Sequence, residues 1–256
     1  MDSARALALA RMGIDRYVLR AHPDAHEGAP AQRVTAHGTS VPDDAAAAPT
    51  PAVGAAAGTG RAVPPASAPA ASADWDALTA DIAACRACAL CQTRTQTVPG
   101  VGLRQARWLV VGEAPGQEED ERGEPFVGRA GKLLDAMLYA VGLDRTSCYI
   151  ANILKCRPPA NRNPTPDEAA ACRPFLDRQI ALIAPRLILA VGAVPARHLL
   201  QTEVAVGKLR GQVHRLPGTD IPLVVTYHPA YLLRSPLEKR KVWGDLCLAR
   251  DAVAPT

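Results

Sequence analysis

The sequence predicts an α/β domain of three layers, α/β/α, with helices on both faces of a short, four-stranded, mainly parallel central sheet. Two observations carry this. Four apolar runs, Arg107–Val111, Cys148–Ile153, Arg186–Val191 and Pro222–Tyr227, alternate with the helical stretches Gly131–Val141, Thr165–Ala184 and Val194–Leu200. Runs of this continuity belong to strands buried on both faces, and their alternation with helices belongs to a parallel sheet. The chain also changes character near residue 74, so that 74–256 reads as the globular part and is long enough for a sizeable core.

In chain order, residues 1–20 read as a short amphipathic helix with Leu7, Ala10, Met12, Ile14 and Val18 on an imperfect apolar stripe. From Ala21 to Ala73 there is no Leu, Ile, Met or aromatic residue, and Ala, Pro and Gly dominate. Such a stretch buries too little apolar surface to offset its conformational entropy, so 21–73 is expected to be a disordered linker. Asp74 is placed to cap a helix through Trp75, Leu78 and Ile82. The first strand then ends at a Gly-Glu-Ala-Pro-Gly loop, the second at Asn152 and the fourth at His228. Pro174 is expected to interrupt or kink the helix over 165–184. In open parallel sheets ligands sit beyond the carboxyl ends of the strands, so three loops converge on one expected site.

The net charge of +4 is a mild bias. The first 73 residues carry six Arg against six Asp and Glu, which places the whole excess in the globular part. A polyanionic partner is permitted but not demanded. No apolar run is long enough to span a membrane. The amino terminus lacks the apolar core of a signal peptide, and a cytoplasmic location is expected. Seven cysteines in a reducing compartment favour metal ligation or burial over disulfides.

Four of those cysteines form two separated pairs, Cys85 and Cys88 as C-x2-C, then Cys156 and Cys172. Thiolates gathered from distant segments bind a metal or a cluster, and spacing alone leaves zinc and iron–sulfur both open. Cys91 is a competing ligand, while Cys148 and Cys247 read as small core residues. Between the pairs lies GEAPGQEEDERGEPFVGRAG, which has neither the Lys-Ser/Thr of a Walker loop nor a G-x-G-x-x-G pattern. Its acidic run, 118–121, would ordinarily be solvated, yet beside a basic partner one or two of these acids are expected to turn inward. Phe126 is either a core plug or a stacking platform for a flat base. Asn152 is either a turn former or an amide that reads a pyrimidine edge, donating and accepting at once. His228 is either a structural histidine or part of the site. The Tyr231, Leu232 and Leu233 that follow it suit apolar wedges entering a base stack.

Taken together, C-x2-C, GEAPGQEED, PFVG-x-AG, N-x-x-KCRPP-x-NR-x-P, the second cysteine pair and HPAYLLR resemble the family 4 uracil-DNA glycosylases, the iron–sulfur members of their superfamily. The resemblance covers roughly Ala84 to Trp243 and implies a uracil-DNA glycosylase-like fold. It implies that Cys85, Cys88, Cys156 and Cys172 hold a 4Fe–4S cluster, which is expected to be structural. It further implies that Phe126 stacks on uracil, that Asn152 bonds its polar edge, and that His228 donates to the oxygen gaining charge. Gly112, Glu113 and Ala114 would line the sugar and water side, with Glu119 near the base. Tyr231, Leu232, Leu233 and Arg234 would meet the DNA. Arg157, Arg162, Lys208, Arg210, Lys239, Arg240 and Lys241 are further candidates for phosphate contacts.

The chain departs from the wider superfamily in one loop. Where the best-known family reads G-Q-D-P-Y, Ala114 takes the seat of the water-orienting Asp and Gly116 that of the methyl-blocking Tyr. Water activation is therefore assigned to Glu113 or Glu119, and methyl exclusion to Glu119. A related subgroup traps its substrate through a histidine in a KRRIH loop. The segment RPPANRNPTPDEAAA here holds no histidine, so ordinary turnover is expected. The expected partner is uracil-containing DNA, single- or double-stranded, met by a monomer, with the N-terminal tail as a docking point for a repair protein. The rival readings are an iron–sulfur redox protein, which lacks a flavin or nicotinamide fingerprint here, and a nonenzymatic uracil-DNA binder.

Overall fold

The computed structural model describes residues 75–253. The expectations for 1–20 and 21–73, and capping by Asp74, lie outside the described residues. Helix α1 (Trp75–Ala84) buries Leu78 and Ile82 and leads through a 3-10 turn (Ala89–Gln92) to the sheet. The strands are β1 (Val101–Gly102), β2 (Trp108–Gly112), β3 (Tyr149–Asn152), β4 (Leu187–Val191), β5 (Val213–Arg215) and β6 (Pro222–Thr226). They lie in the order β1-β3-β2-β4-β6-β5. The four central strands are parallel, and β1 and β5 pair antiparallel at the edges. The four-stranded expectation is thus corrected to six. The two additions hold two and three residues, too few for a period-2 pattern to stand out.

Alternate residues of each central strand enter opposite cores, as pleating requires. Trp108, Val110, Ile150, Leu189 and Val224 pack under α3 (Arg129–Ala140) and α8 (Lys239–Val253). Leu109, Val111, Ala151, Ile188 and Val225 pack under α4 (Pro166–Ile183) and α5 (Ala193–Leu200). Each fully buried Leu, Ile or Val contributes roughly 1.5–3 kcal/mol, so two continuous apolar layers account for the three-layer arrangement. The remaining helices are α2 (Gln117–Arg122), α6 (Val206–Leu209) and α7 (Pro229–Arg234).

Helix α4 runs unbroken through Pro174, so of the expected interruption or kink the interruption does not occur. Pro174 and Ala170, whose carbonyl loses its partner, are both exposed, so water can serve that group. The helix starts with a reciprocal cap: Glu168 N–H donates to Thr165 Oγ1 at 3.2 Å, and Thr165 N–H donates to Glu168 Oε2 at 2.9 Å. No helix among the described residues is long and apolar enough to cross a membrane.

Candidate active site at the carboxyl ends of the parallel strands

Gly112 ends β2 and is paired in register with Asn152, which ends β3. A Cβ at Gly112 would collide with Asn152 Oδ1 and with the edge of the Phe126 ring. Glycine is therefore required here for the amide and the ring to converge. Asn152 is buried, and its Oδ1 has no hydrogen-bond partner, unlike every other fully buried side-chain oxygen or nitrogen among the described residues. An unsatisfied buried acceptor costs about 1–3 kcal/mol, which is tolerable where a ligand supplies the donor.

Phe126 is buried with φ +56°, a left-handed conformation that a side chain adopts at some cost. Its loop is held from two sides. Arg145 Nη1 donates to the Pro125 carbonyl at 3.0 Å and Nη2 to the Phe126 carbonyl, while Nε pairs with Asp135 at 2.7 Å. From the other side Glu119 Oε1 accepts from Val127 N–H at 2.9 Å and Gly128 N–H at 3.2 Å, and Oε2 accepts from Gly116 N–H at 3.0 Å. A Cβ at Gly131 would strike the Phe126 carbonyl, so the first turn of α3 also depends on glycine. Of the acids in 118–121, Glu119 and Asp120 turn inward. Asp120 is buried and accepts from Thr95 N–H at 3.0 Å, fastening the segment after the first cysteine pair.

His228 caps α7, and its ring lies 5.6 Å from that of Phe126. Its Nδ1 accepts from Ala230 N–H at 3.2 Å. Burial, with Arg234 adding and Glu119 opposing, lowers the imidazole to about 4. The ring is therefore neutral near pH 7, and with Nδ1 accepting, the remaining proton sits on Nε2. Glu113 follows Gly112 with a half-buried carboxylate, and burial raises it above the ordinary carboxylate range. Ala114 is half-buried beside it and packs against the core under α4.

Downstream of His228 the sequence reading needs one correction. Leu232 is wholly buried in the core beneath α3, because the turns of α7 direct it inward, and it cannot act as a wedge. Tyr231 and Leu233 are exposed at 37% and 40%. Arg234 is exposed at the end of the same helix. Two of the other basic candidates are committed to internal pairs. Arg162 bonds both oxygens of Glu168, and Arg210 bonds both oxygens of Asp245. Lys241 pairs with Glu238 at the surface.

The four cysteines of the two pairs wall one cavity together with Ile82, Ala87, Lys155, Ala171 and Phe175. Cys91 is not among its walls, and Cys148 is in the core. None of the seven cysteines forms a disulfide among the described residues. Among the described residues no group of three or more His, Cys, Asp or Glu is arranged around a single ion. The walls are thiol and apolar, with one lysine and no carboxylate, a donor set suited to a soft metal centre. Burial pushes the Cys172 thiol up to about 11, so that sulfur ligates only when a cation displaces its proton. Arg94 Nη1 donates to Cys156 Sγ at 3.0 Å, and Lys155 N–H donates to Cys172 Sγ at 3.3 Å. Sequence reasoning did not single out Arg94, Arg145, Lys155 or Gln179. Only Lys155 had a signal, its place inside the N-x-x-K-C motif.

The family model of the Uracil DNA glycosylase superfamily matches residues 99–247. The type-4 uracil-DNA glycosylase of Archaeoglobus fulgidus is 42% identical over 184 residues, covering 67% of this chain and 92% of that protein. The type-4 enzyme of Thermotoga maritima is 46% identical over 153 residues, 59% of this chain and 79% of that protein. A type-5 uracil-DNA glycosylase of Thermus thermophilus is 33% identical over 118 residues, 40% of this chain and 53% of that protein.

Proposed function

The chain belongs to the uracil-DNA glycosylase superfamily, in its type-4 family, and is a glycosylase hydrolase of DNA repair; from that premise we propose how its own residues recognise and release the base. The observation that carries the reading is the orphaned Asn152 Oδ1. Uracil presents an N3–H donor flanked by carbonyl acceptors, so Oδ1 accepts from N3–H and the amide nitrogen donates to the neighbouring oxygen. Cytosine carries no hydrogen on N3 and an amino group beside it, so both contacts fail. A site built to bond a group can reject the analogue lacking it by about 10⁴–10⁵. Phe126 stacks on the face of the extruded base.

Breaking the N-glycosidic bond leaves positive charge on the sugar and negative charge on uracil. The Nε2–H of neutral His228 donates to the uracil oxygen that gains that charge. Because Ala230 already holds the ring and the ring is buried, this donor needs no reorganisation as charge develops. Glu113 orients the attacking water and favours the sugar cation, with the Gly112–Ala114 backbone lining that side. Glu119 is given a positioning role, since both its oxygens hold loop amides. Tyr231 and Leu233 press into the space the flipped nucleotide leaves, and Arg234 meets phosphate.

Cys85, Cys88, Cys156 and Cys172 are proposed to hold a 4Fe–4S cluster. A single zinc would draw four sulfurs to roughly 2.3 Å of one point, whereas a cluster suits sulfurs spread around a cavity. Bound there, the group supplies a rigid cross-link between the segment after α1, the loop beyond Asn152 and α4. The test uses the full chain with its iron and sulfide content measured. It is incubated with an oligonucleotide containing one uracil, and abasic sites are then cleaved with alkali. Strand scission dependent on Asn152 and His228 is expected. Intact DNA after incubation with cluster-loaded protein would sink the reading.

A further inference from the structure

Lys155 is the only fully buried basic side chain among the described residues, at 1% exposure. Its Nζ donates to the Asn152 carbonyl at 2.8 Å and to Gln179 Oε1 at 2.6 Å. Both acceptors are neutral. The other buried charges are differently furnished: Asp245 and Glu168 each have an arginine, and Asp120 has backbone amides. A buried cation without an anion is costly. The anion available to Lys155 is the cysteine cavity, whose wall it forms and whose Cys172 sulfur accepts its backbone N–H. One residue therefore touches a sulfur of the cysteine cavity and the backbone of the base-reading amide.

Resting on the functional reading above, we infer that Lys155 is a positioning residue that serves as internal counter-ion to the four-thiolate centre and, through the same ammonium, fixes Asn152 for uracil. Gln179 completes the link. Its Nε2 donates to the Pro99 carbonyl at 2.7 Å, and Val98 N–H donates to the Lys155 carbonyl at 2.8 Å, so the loop before β1 is tied to the same post. The arrangement explains why a long, flexible cation is held in a core that four apolar strands would otherwise fill. Its charge balances the thiolate centre on one side, and its fork of donors stiffens the strand end on the other.

The experiment uses Lys155→Met in the full, cluster-loaded chain, with three readouts: iron and sulfide content, the cluster's reduction potential, and inhibition by free uracil. Loss of a neighbouring cation should move the potential to more negative values. Loss of the bond to Asn152 should raise the inhibition constant of free uracil about tenfold or more, the scale of one hydrogen bond to a charged group, while KM for DNA changes less than about twofold. A loaded variant with unchanged potential and unchanged uracil inhibition overturns the inference. Should that variant fail to fold, Gln179→Glu tests it instead. A carboxylate beside Nζ cancels the cation, so the potential should shift the same way while uracil inhibition stays within about threefold, the Nζ–Asn152 bond being retained. An unmoved potential there overturns it. Wild-type protein without glycosylase activity or without a cluster would instead overturn the functional reading.

Discussion

Two buried polar groups at the carboxyl side of the same sheet are treated in opposite ways. Asp245, on α8, accepts from Arg210 Nε and Nη2, from Gly211 N–H and from Thr226 Oγ1, all within 3.1 Å. Asn152, at the end of β3 with two strands between it and β6, has an Oδ1 equally sealed from solvent that accepts nothing. Burial without hydrogen bonding is unfavourable in both places, so the difference separates architecture from function. The first group closes its own valences and joins α8 to β6. The second keeps a valence open, and its backbone is held rigid so that the vacancy stays aimed.

The largest expected effects break this comparison at its two ends. Replacing His228 by Ala, or Asn152 by Leu, should lower uracil excision by about 10²–10³ or more, as loss of a preorganised contact to the reacting base does. Asn152→Leu should leave the thermal midpoint unchanged or raised, since it removes an unsatisfied acceptor and fills the same volume. Excision assays paired with thermal unfolding check both. Asp245→Ala should do the reverse. It strands Arg210 and should cost about 3–5 kcal/mol of stability in denaturant titration, with excision per folded molecule retained. A normal rate in Asn152→Leu, or an unshifted denaturation curve in Asp245→Ala, would erase the distinction.

A smaller effect concerns pH. Glu113 is raised by burial and works as a carboxylate, so its contribution falls as pH drops through a value above the ordinary carboxylate range. His228 works neutral and is lowered to about 4, so it does not titrate in that window. The acid limb of the single-turnover rate therefore belongs to Glu113, and Glu113→Gln should be slower at neutral pH but flat on the acid side. For stability the sign follows His228. Its unfolded form binds a proton near 6.5 and its folded form near 4, so stability is complete above 6.5 and declines as pH falls between them. Replacement of His228 by Ala should remove that decline.

Much of this layout was legible in the chain because its signals are local. Continuous apolar runs marked the parallel strands, and Gly112, Asn152 and His228 could be placed at strand ends by counting. The edge strands were not legible, being held by pairing instead of pattern. Whether Pro174 would interrupt its helix was not legible either, because its penalty depends on whether the freed carbonyl meets water, a tertiary fact. Leu232 misled for a related reason: in Tyr-Leu-Leu, helical phase against α3 decides which residue is buried. The supports of the site were the least visible. Arg145 reaches Phe126 across 19 residues and Gln179 reaches Lys155 across 24, so no spacing rule announces either. Long-range clamps of this kind become apparent only when the carbonyls they hold are known to need holding.

The smallest expected effect lies at the rim and sharpens the comparison from outside. Arg234 is exposed and forms no salt bridge among the described residues, in contrast to Arg210, whose charge is consumed by Asp245. A phosphate contact by Arg234 would release a counterion, so Arg234→Ala should reduce the slope of log affinity against log salt by about one and raise KM without regard to sequence. The same substitution removes a positive charge that helps depress His228. The imidazole should then rise from about 4, yet burial, its larger cause, remains and keeps it neutral near pH 7. At saturating DNA and neutral pH the excision rate should therefore be nearly unchanged. Arg210→Ala should show the converse, an unaltered salt slope and a weakened fold. Fluorescence anisotropy across a salt series, with unfolding measured alongside, separates a cation kept for the partner from one kept for the core.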